Sequence, residues 1–83
     1  MSANELDVLI GQRLKEIRDR KGLSLNDVAE RIGKAKSTYR DYEIGKSRMF
    51  WDVLIDICRV LDIDYSEFVD SVQKEYNSRK LFK

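Results

Sequence analysis

The stretch LSLNDVAERIGKAKSTYRDYEIG, residues 23–45, decides the fold. Ser24 is placed to cap a helix, with the acid Asp27 three positions on and Leu23 set to staple onto Val28. Leu25, Val28, Ala29 and Ile32 then form a buried face about two turns long, and Gly33 supplies the stop. After a very short connection, Ala35, Thr38, Tyr39 and Tyr42 recur at i, i+3, i+4 and i+7, which predicts a second helix over 35–44 closed by Gly45. Its opposite face carries Lys36, Ser37, Arg40 and Asp41. Two short helices across a glycine turn, the second showing polar side chains outward, are the result.

Outward from this stretch the pattern stays helical. Leu6, Ile10, Leu14 and Ile17 share a stripe on a first helix ending near Gly22. A fourth helix is expected over residues 50–61, with Trp51, Leu54, Ile55, Cys58 and Leu61 as core and almost no polar face. Asp64 and Glu67 repeat the cap-and-acid arrangement of Ser24 and Asp27. They open a fifth helix, whose Tyr65, Phe68, Val69, Val72 and Tyr76 lie on one side. The expected fold class is therefore all-α, a compact five-helix bundle. A single domain over 1–77 has its two-helix core at about 24–44, and 78–83 is a frayed tail. Eighty-three residues, 42% of them apolar, suffice for one modest core, and the absence of proline agrees with a helical chain.

Composition excludes several functions. Without histidine there is no imidazole base and no plausible zinc set, and the single Cys58 can form no internal disulfide. No glycine-rich phosphate loop occurs, so neither an enzyme nor a cofactor is expected. Residues 1–10 are acidic and lack a signal-peptide pattern, and the apolar runs are too short for a membrane span. A soluble, cytoplasmic protein is the expectation. The net charge of +1 argues for no partner, but its distribution does: residues 1–50 hold 11 Lys and Arg against 8 Asp and Glu, residues 51–83 hold 5 against 7. Lys34, Lys36, Arg40, Lys46 and Arg48 concentrate between positions 33 and 48, where only Asp41 and Glu43 oppose them.

A polar-faced helix following a short capped one is the outline of a helix-turn-helix. The segments IGQRLKEIRDRKGLSLNDVAERIG and KSTYRDYEIGKS, with small Ala29, Gly33, Ser37-Thr38 and Glu43-x-Gly45, resemble the phage-repressor and Cro-type (XRE-like) helix-turn-helix family. The resemblance extends over roughly residues 9–69 and implies a lambda-repressor-like bundle. By it, the 35–44 helix lies in the DNA major groove, and Lys36, Ser37, Arg40 and Asp41 face the bases. Lys and Arg can donate to guanine O6 and N7, and Asp can accept from cytosine N4. Phosphate binding by Lys36 and Arg40 remains the alternative, as does an intrahelical or repulsive role for Asp41. Ser24, Lys34, Thr38, Lys46, Ser47 and Arg48 are placed for phosphates, with Ser24 foremost a cap. Arg18 and Glu43 match a pair that locks the first helix to the recognition helix. Ala35 stands where a capping Ser or Thr is usual, at a cost on the order of 1 kcal/mol.

Phe50, Val53, Ile57 and Val60 form a second apolar stripe. It serves either to pack the fifth helix or, led by Phe50, to make a dimer or partner contact. The implied function is a sequence-specific transcriptional regulator of phage or mobile-element type, a repressor holding a pseudo-palindromic operator in double-stranded DNA as a homodimer. Two alternatives stand beside it. One is the antitoxin of a toxin pair, gripping its partner through the Phe50 stripe or the C-terminal helix. The other is a protein-binding antirepressor that has given up DNA.

Overall fold

A computed structural model describes residues 4–81 of the chain, with side chains as far as Arg79. Five helices follow one another: α1 Glu5–Arg20, α2 Leu25–Arg31, α3 Lys36–Glu43, α4 Trp51–Val60 and α5 Tyr65–Leu81. The described residues contain no strand. Local chemistry explains most of the boundaries. Ser24 Oγ accepts the Asp27 N–H at 3.0 Å, while the Asp27 carboxylate accepts the Ser24 N–H at 2.8 Å, a complete capping box. Asp64 Oδ1 accepts the Glu67 N–H at 2.9 Å at the start of α5. Asn4 caps α1 through the Asp7 N–H at 2.8 Å, a signal the sequence reading passed over. Neither Ala35 nor Phe50 supplies a side-chain cap to the helix it precedes.

The α2–α3 turn is made at Gly33, whose φ of +71° lets the Lys34 N–H reach back to the Ala29 carbonyl at 2.9 Å. The end of α4 repeats that geometry without a glycine. Asp62 holds a φ of +56°, and the Ile63 N–H bonds the Cys58 carbonyl at 3.0 Å.

One core joins all five helices: Leu9, Leu14, Val28, Ala29, Tyr39, Tyr42, Val53, Ile57, Cys58, Leu61, Phe68 and Val72 are buried. Burial pushes the Cys58 thiol up to about 11, so it is a small apolar filler. The helix α1 stripe is turned from its expected position. Leu14 is buried, Leu6, Ile10 and Ile17 only partly, and Leu9, Gly11 and Arg18 go in, because α3 and α5 both pack against α1.

Helix α4 corrects the expected division of its two stripes. Val53 is 8% exposed and Ile57 wholly buried, so these two are core and cannot serve a dimer or partner surface. Trp51, expected in the core, is 69% exposed, and Leu54 and Ile55 are half-buried. The register is set by Val53, Ile57, Cys58 and Leu61 facing inward together, which carries the first turn of α4 to the rim. Phe50 is 78% exposed and Val60 half-buried.

The expected frayed tail is also corrected: α5 continues through 78–81, and only positions 82 and 83 of that tail lie outside the described residues. Contacts at Ser71 and Glu75 anchor its second half. Arg79 Nε meets Glu75 at 3.1 Å, and Arg13 from α1 contacts both Ser71 Oγ at 2.7 Å and Glu75 at 3.0 Å. No helix among the described residues is long and apolar enough to cross a membrane, and no group of three or more His, Cys, Asp or Glu there could hold a metal ion.

Candidate nucleic-acid interface

Helix α3 is only eight residues long and lacks a side-chain cap, so its position must come from tertiary contacts. Three devices supply it. Tyr39 and Tyr42 plant one face in the core, their rings edge-to-face at 6.5 Å between centroids. Second, Arg18 of α1 meets Glu43 in a two-pronged ion pair, Nε to Oε2 at 2.7 Å and Nη2 to Oε1 at 3.0 Å. Arg18 Nη1 also donates to the Leu23 carbonyl at 2.7 Å, which ties the turn before α2 into the same network. Both side chains are nearly inaccessible, at 8% and 3% exposure. The bond to Glu43 raises the Arg18 pKa further, against the opposing effect of burial. Burial, with Glu43 beside it, likewise pushes the Tyr39 phenol well above its ordinary value.

The third device was not read from the sequence. Gly11 lies where α1 crosses the end of α3, and a Cβ there would stand 2.6 Å from both the Tyr42 carbonyl oxygen and the Glu43 carbonyl carbon. Gly45 is tight in the same way, with Val8 Cα 2.7 Å from where its Cβ would be. A glycine in the middle of a helix costs about 1 kcal/mol relative to alanine, which was the available signal for a close backbone approach at position 11.

The outward face of α3 is left free. Lys36, Ser37 and Arg40 are exposed, as are Lys34 before the helix and Lys46 and Arg48 after it. Thr38 and Ser47 are half-buried, and Ser24 is exposed with its hydroxyl engaged in the α2 cap. The Ser24 backbone N–H and hydroxyl hold the Asp27 carboxyl below its usual range. Asp41 differs from its neighbours. It is half-buried, Oδ1 has no hydrogen-bond partner, and Arg40 Nη2 stands 3.7 Å from that oxygen. The Asp41 carbonyl accepts the Lys46 and Ser47 N–H groups, so this residue also shapes the loop after α3. Arg48 lies 3.6 Å from Asp7 of α1, an exposed pair that leaves the guanidinium within reach of solvent. Glu43, the other acid of the segment, is fully committed to Arg18, which removes its charge from the basic surface.

The arrangement is thus a rigid short helix with basic and hydroxyl side chains at its first two turns, flanked by cations on the adjoining loops. Such a surface can enter a groove and contact a polyanion along both sides.

A family model described as a helix-turn-helix domain matches residues 9–68. The HTH-type transcriptional regulator YobD of Bacillus subtilis is 36% identical over 52 residues, which is 63% of this chain and 46% of YobD. The chain spans less than half the length of the curated relatives it matches. Among solved structures, the restriction-modification controller protein C.AhdI from Aeromonas hydrophila superposes with a TM-score of 0.70 at 33% identity, covering 74% of this chain and 92% of that one. SinR, a master regulator for biofilm formation solved in complex with DNA, superposes with a TM-score of 0.66 at 34% identity, covering 72% and 97%.

Proposed function

Because the chain belongs to the helix-turn-helix family of XRE/Cro-type regulators, we propose that it is a sequence-specific transcriptional repressor that acts in the cytoplasm and occupies a pseudo-palindromic operator as a homodimer. The observation that carries this reading is the exposed triad Lys36, Ser37 and Arg40 on a helix fixed from behind by the buried Arg18–Glu43 pair. Preorganisation matters because groove readout needs side chains held in register with base edges. The solved complex of the related SinR with DNA supports the choice of partner.

In this mechanism the first two turns of α3 lie in the major groove. Arg40 and Lys36 donate to guanine O6 and N7, and Ser37 adapts to either partner. Asp41, whose Oδ1 is turned inward, contributes less by direct contact than by holding the loop and steadying Arg40. Lys34, Thr38, Lys46, Ser47 and Arg48, with the backbone at Ser24, take phosphates on either side and set the register. Repression follows from occupancy: a dimer seated on about two turns of duplex blocks polymerase from the same DNA.

The test is selection of bound duplexes from a random library at near-physiological salt. The expected product is a two-fold symmetric motif with half-site centres about ten base pairs apart. With about six phosphates neutralised per dimer, the affinity for that motif should fall with a log–log salt slope of about −5. No enrichment, or an affinity indifferent to salt, would refute the reading.

A further inference from the structure

Three large apolar side chains are exposed on the described surface; Ile44 stands alone at the end of α3, whereas Phe50, at 78% exposure, and Trp51, at 69%, are side by side at the start of α4. Next to them is a groove of about 300 Å³ between α1, α4 and α5, walled almost entirely by apolar side chains. The two features are one surface. The Trp51 ring packs edge-to-face on Tyr65 at 5.6 Å between centroids, and Tyr65 is itself a wall of the groove.

We propose that the Phe50–Trp51 pair of one copy seats in the groove of a second copy lined by Leu6, Ile10, Leu54, Tyr65, Val69 and Tyr76, reciprocally across a two-fold axis. The inference rests on the homodimeric reading above and names the surface that makes it. Every copy holds both a protruding aromatic pair and a receiving groove, which is the self-complementarity an isologous contact requires. The sizes agree. A dry cavity of about 150 Å³ holds a benzene ring, so about 300 Å³ receives the aromatic pair in large part.

The area agrees as well. An aromatic side chain buries about 150–250 Å² when covered. Four of them at the observed exposures, with the groove walls they cover, withdraw on the order of 1,000 Å², the lower bound for a specific interface. A contact of that size gives a dimer in reversible equilibrium with monomer, completed when two half-sites hold it. Val60 is half-buried and does not line the groove, and Val53 and Ile57 lie in the core.

Sedimentation equilibrium of the full chain without DNA tests the proposal, using two variants at exposed positions. Phe50→Ser/Trp51→Ser removes the protruding pair, and Gln73→Arg covers the groove from its exposed edge. Circular dichroism establishes that each remains folded. The wild type should associate reversibly, and each variant alone should dimerise at least about 100-fold more weakly, as loss of interface anchors does. Mixing the two variants should restore association to a level above either alone, since the mixed dimer regains one intact aromatic pair in one intact groove. A wild type that stays monomeric, variants that dimerise like it, or a mixture no better than its components would overturn the assignment. Binding of each variant to a single half-site duplex reports separately on the α3 face, so a failure here leaves the DNA-reading assignment to stand or fall on its own measurement.

Discussion

Replacing Gly11 by alanine probes the geometry that holds the recognition helix in place. The added methyl would stand 2.6 Å from the Tyr42 carbonyl oxygen and from the Glu43 carbonyl carbon, whose own oxygen is nearer still. Ordinary contact needs about 3.4 Å or more, so the end of α3 must retreat from α1 by about 1 Å. Glu43 sits on that end, joined to Arg18 at 2.7 and 3.0 Å. A retreat of that size takes both contacts beyond hydrogen-bond range. Overpacking alone costs about 1–3 kcal/mol, and a weakened buried pair adds part of the roughly 3–5 kcal/mol that a broken one costs. Better helix propensity returns about 1 kcal/mol. The net expectation is a loss of about 2–4 kcal/mol, a fall in Tm of roughly 10–25 °C for a domain of this size. Thermal melts followed by circular dichroism measure it, with Gln12→Ala, an exposed neighbour on the same helix, as control. A Gly11→Ala protein as stable as wild type would mean that propensity dominates and that α1 and α3 do not meet as closely as described.

Removing Glu43 as Glu43→Ala strands the Arg18 charge in the interior and should cost about 3–5 kcal/mol in urea denaturation, while the apolar double replacement Arg18→Met/Glu43→Leu recovers most of the loss. An equally unstable double variant would refute the charge-burial explanation. Asp62 occupies the left-handed region at φ +56°, so Asp62→Gly should raise stability by about 0.5–1 kcal/mol despite the added freedom of the unfolded chain; an unchanged or lower Tm contradicts it. The Asp27 and Glu75 carboxyls are held below their ordinary range, Asp27 by the Ser24 backbone N–H and hydroxyl, Glu75 by Arg13 and then Arg79. Because these folded-state values lie below the unfolded ones, their contribution is present above about pH 4 and is lost as pH falls through the lower folded values. Glu75→Gln should therefore flatten the acid limb of a Tm-versus-pH curve, and an unchanged limb would contradict the assignment.

The parts of this molecule legible in its sequence are those fixed by local chemistry. Ser24 with Asp27, Gly33 and Gly45 set α2 and α3 to within a residue or two, and Asp64 with Glu67 opened α5, because caps and left-handed stops depend on immediate neighbours. What depends on distant contacts was less legible. The rotation of α4, which sends Val53 and Ile57 inward and Trp51 to the rim, is chosen by the elements it packs against and not by its own nearly uniform apolar composition. The anchoring of the second half of α5 at Ser71 and Glu75 comes from Arg13 of α1, 62 residues away from Glu75 in the chain, and only the local Arg79–Glu75 pair reaches past position 77. In the candidate site, Lys36, Ser37 and Arg40 are exposed in the order the periodicity predicts, whereas Asp41, on the same predicted face, is half-buried and its backbone carbonyl holds the following loop.

Whether the outward face of α3 reads base pairs is decided by repeating the random-duplex selection with Arg40→Ala. If Arg40 donates to a guanine, the variant should still select a two-fold motif but lose its preference at one symmetric position in each half-site, with affinity for the wild-type motif reduced by about 1–3 kcal/mol. An identical motif at every position would refute base reading by Arg40 and leave it as one more phosphate contact.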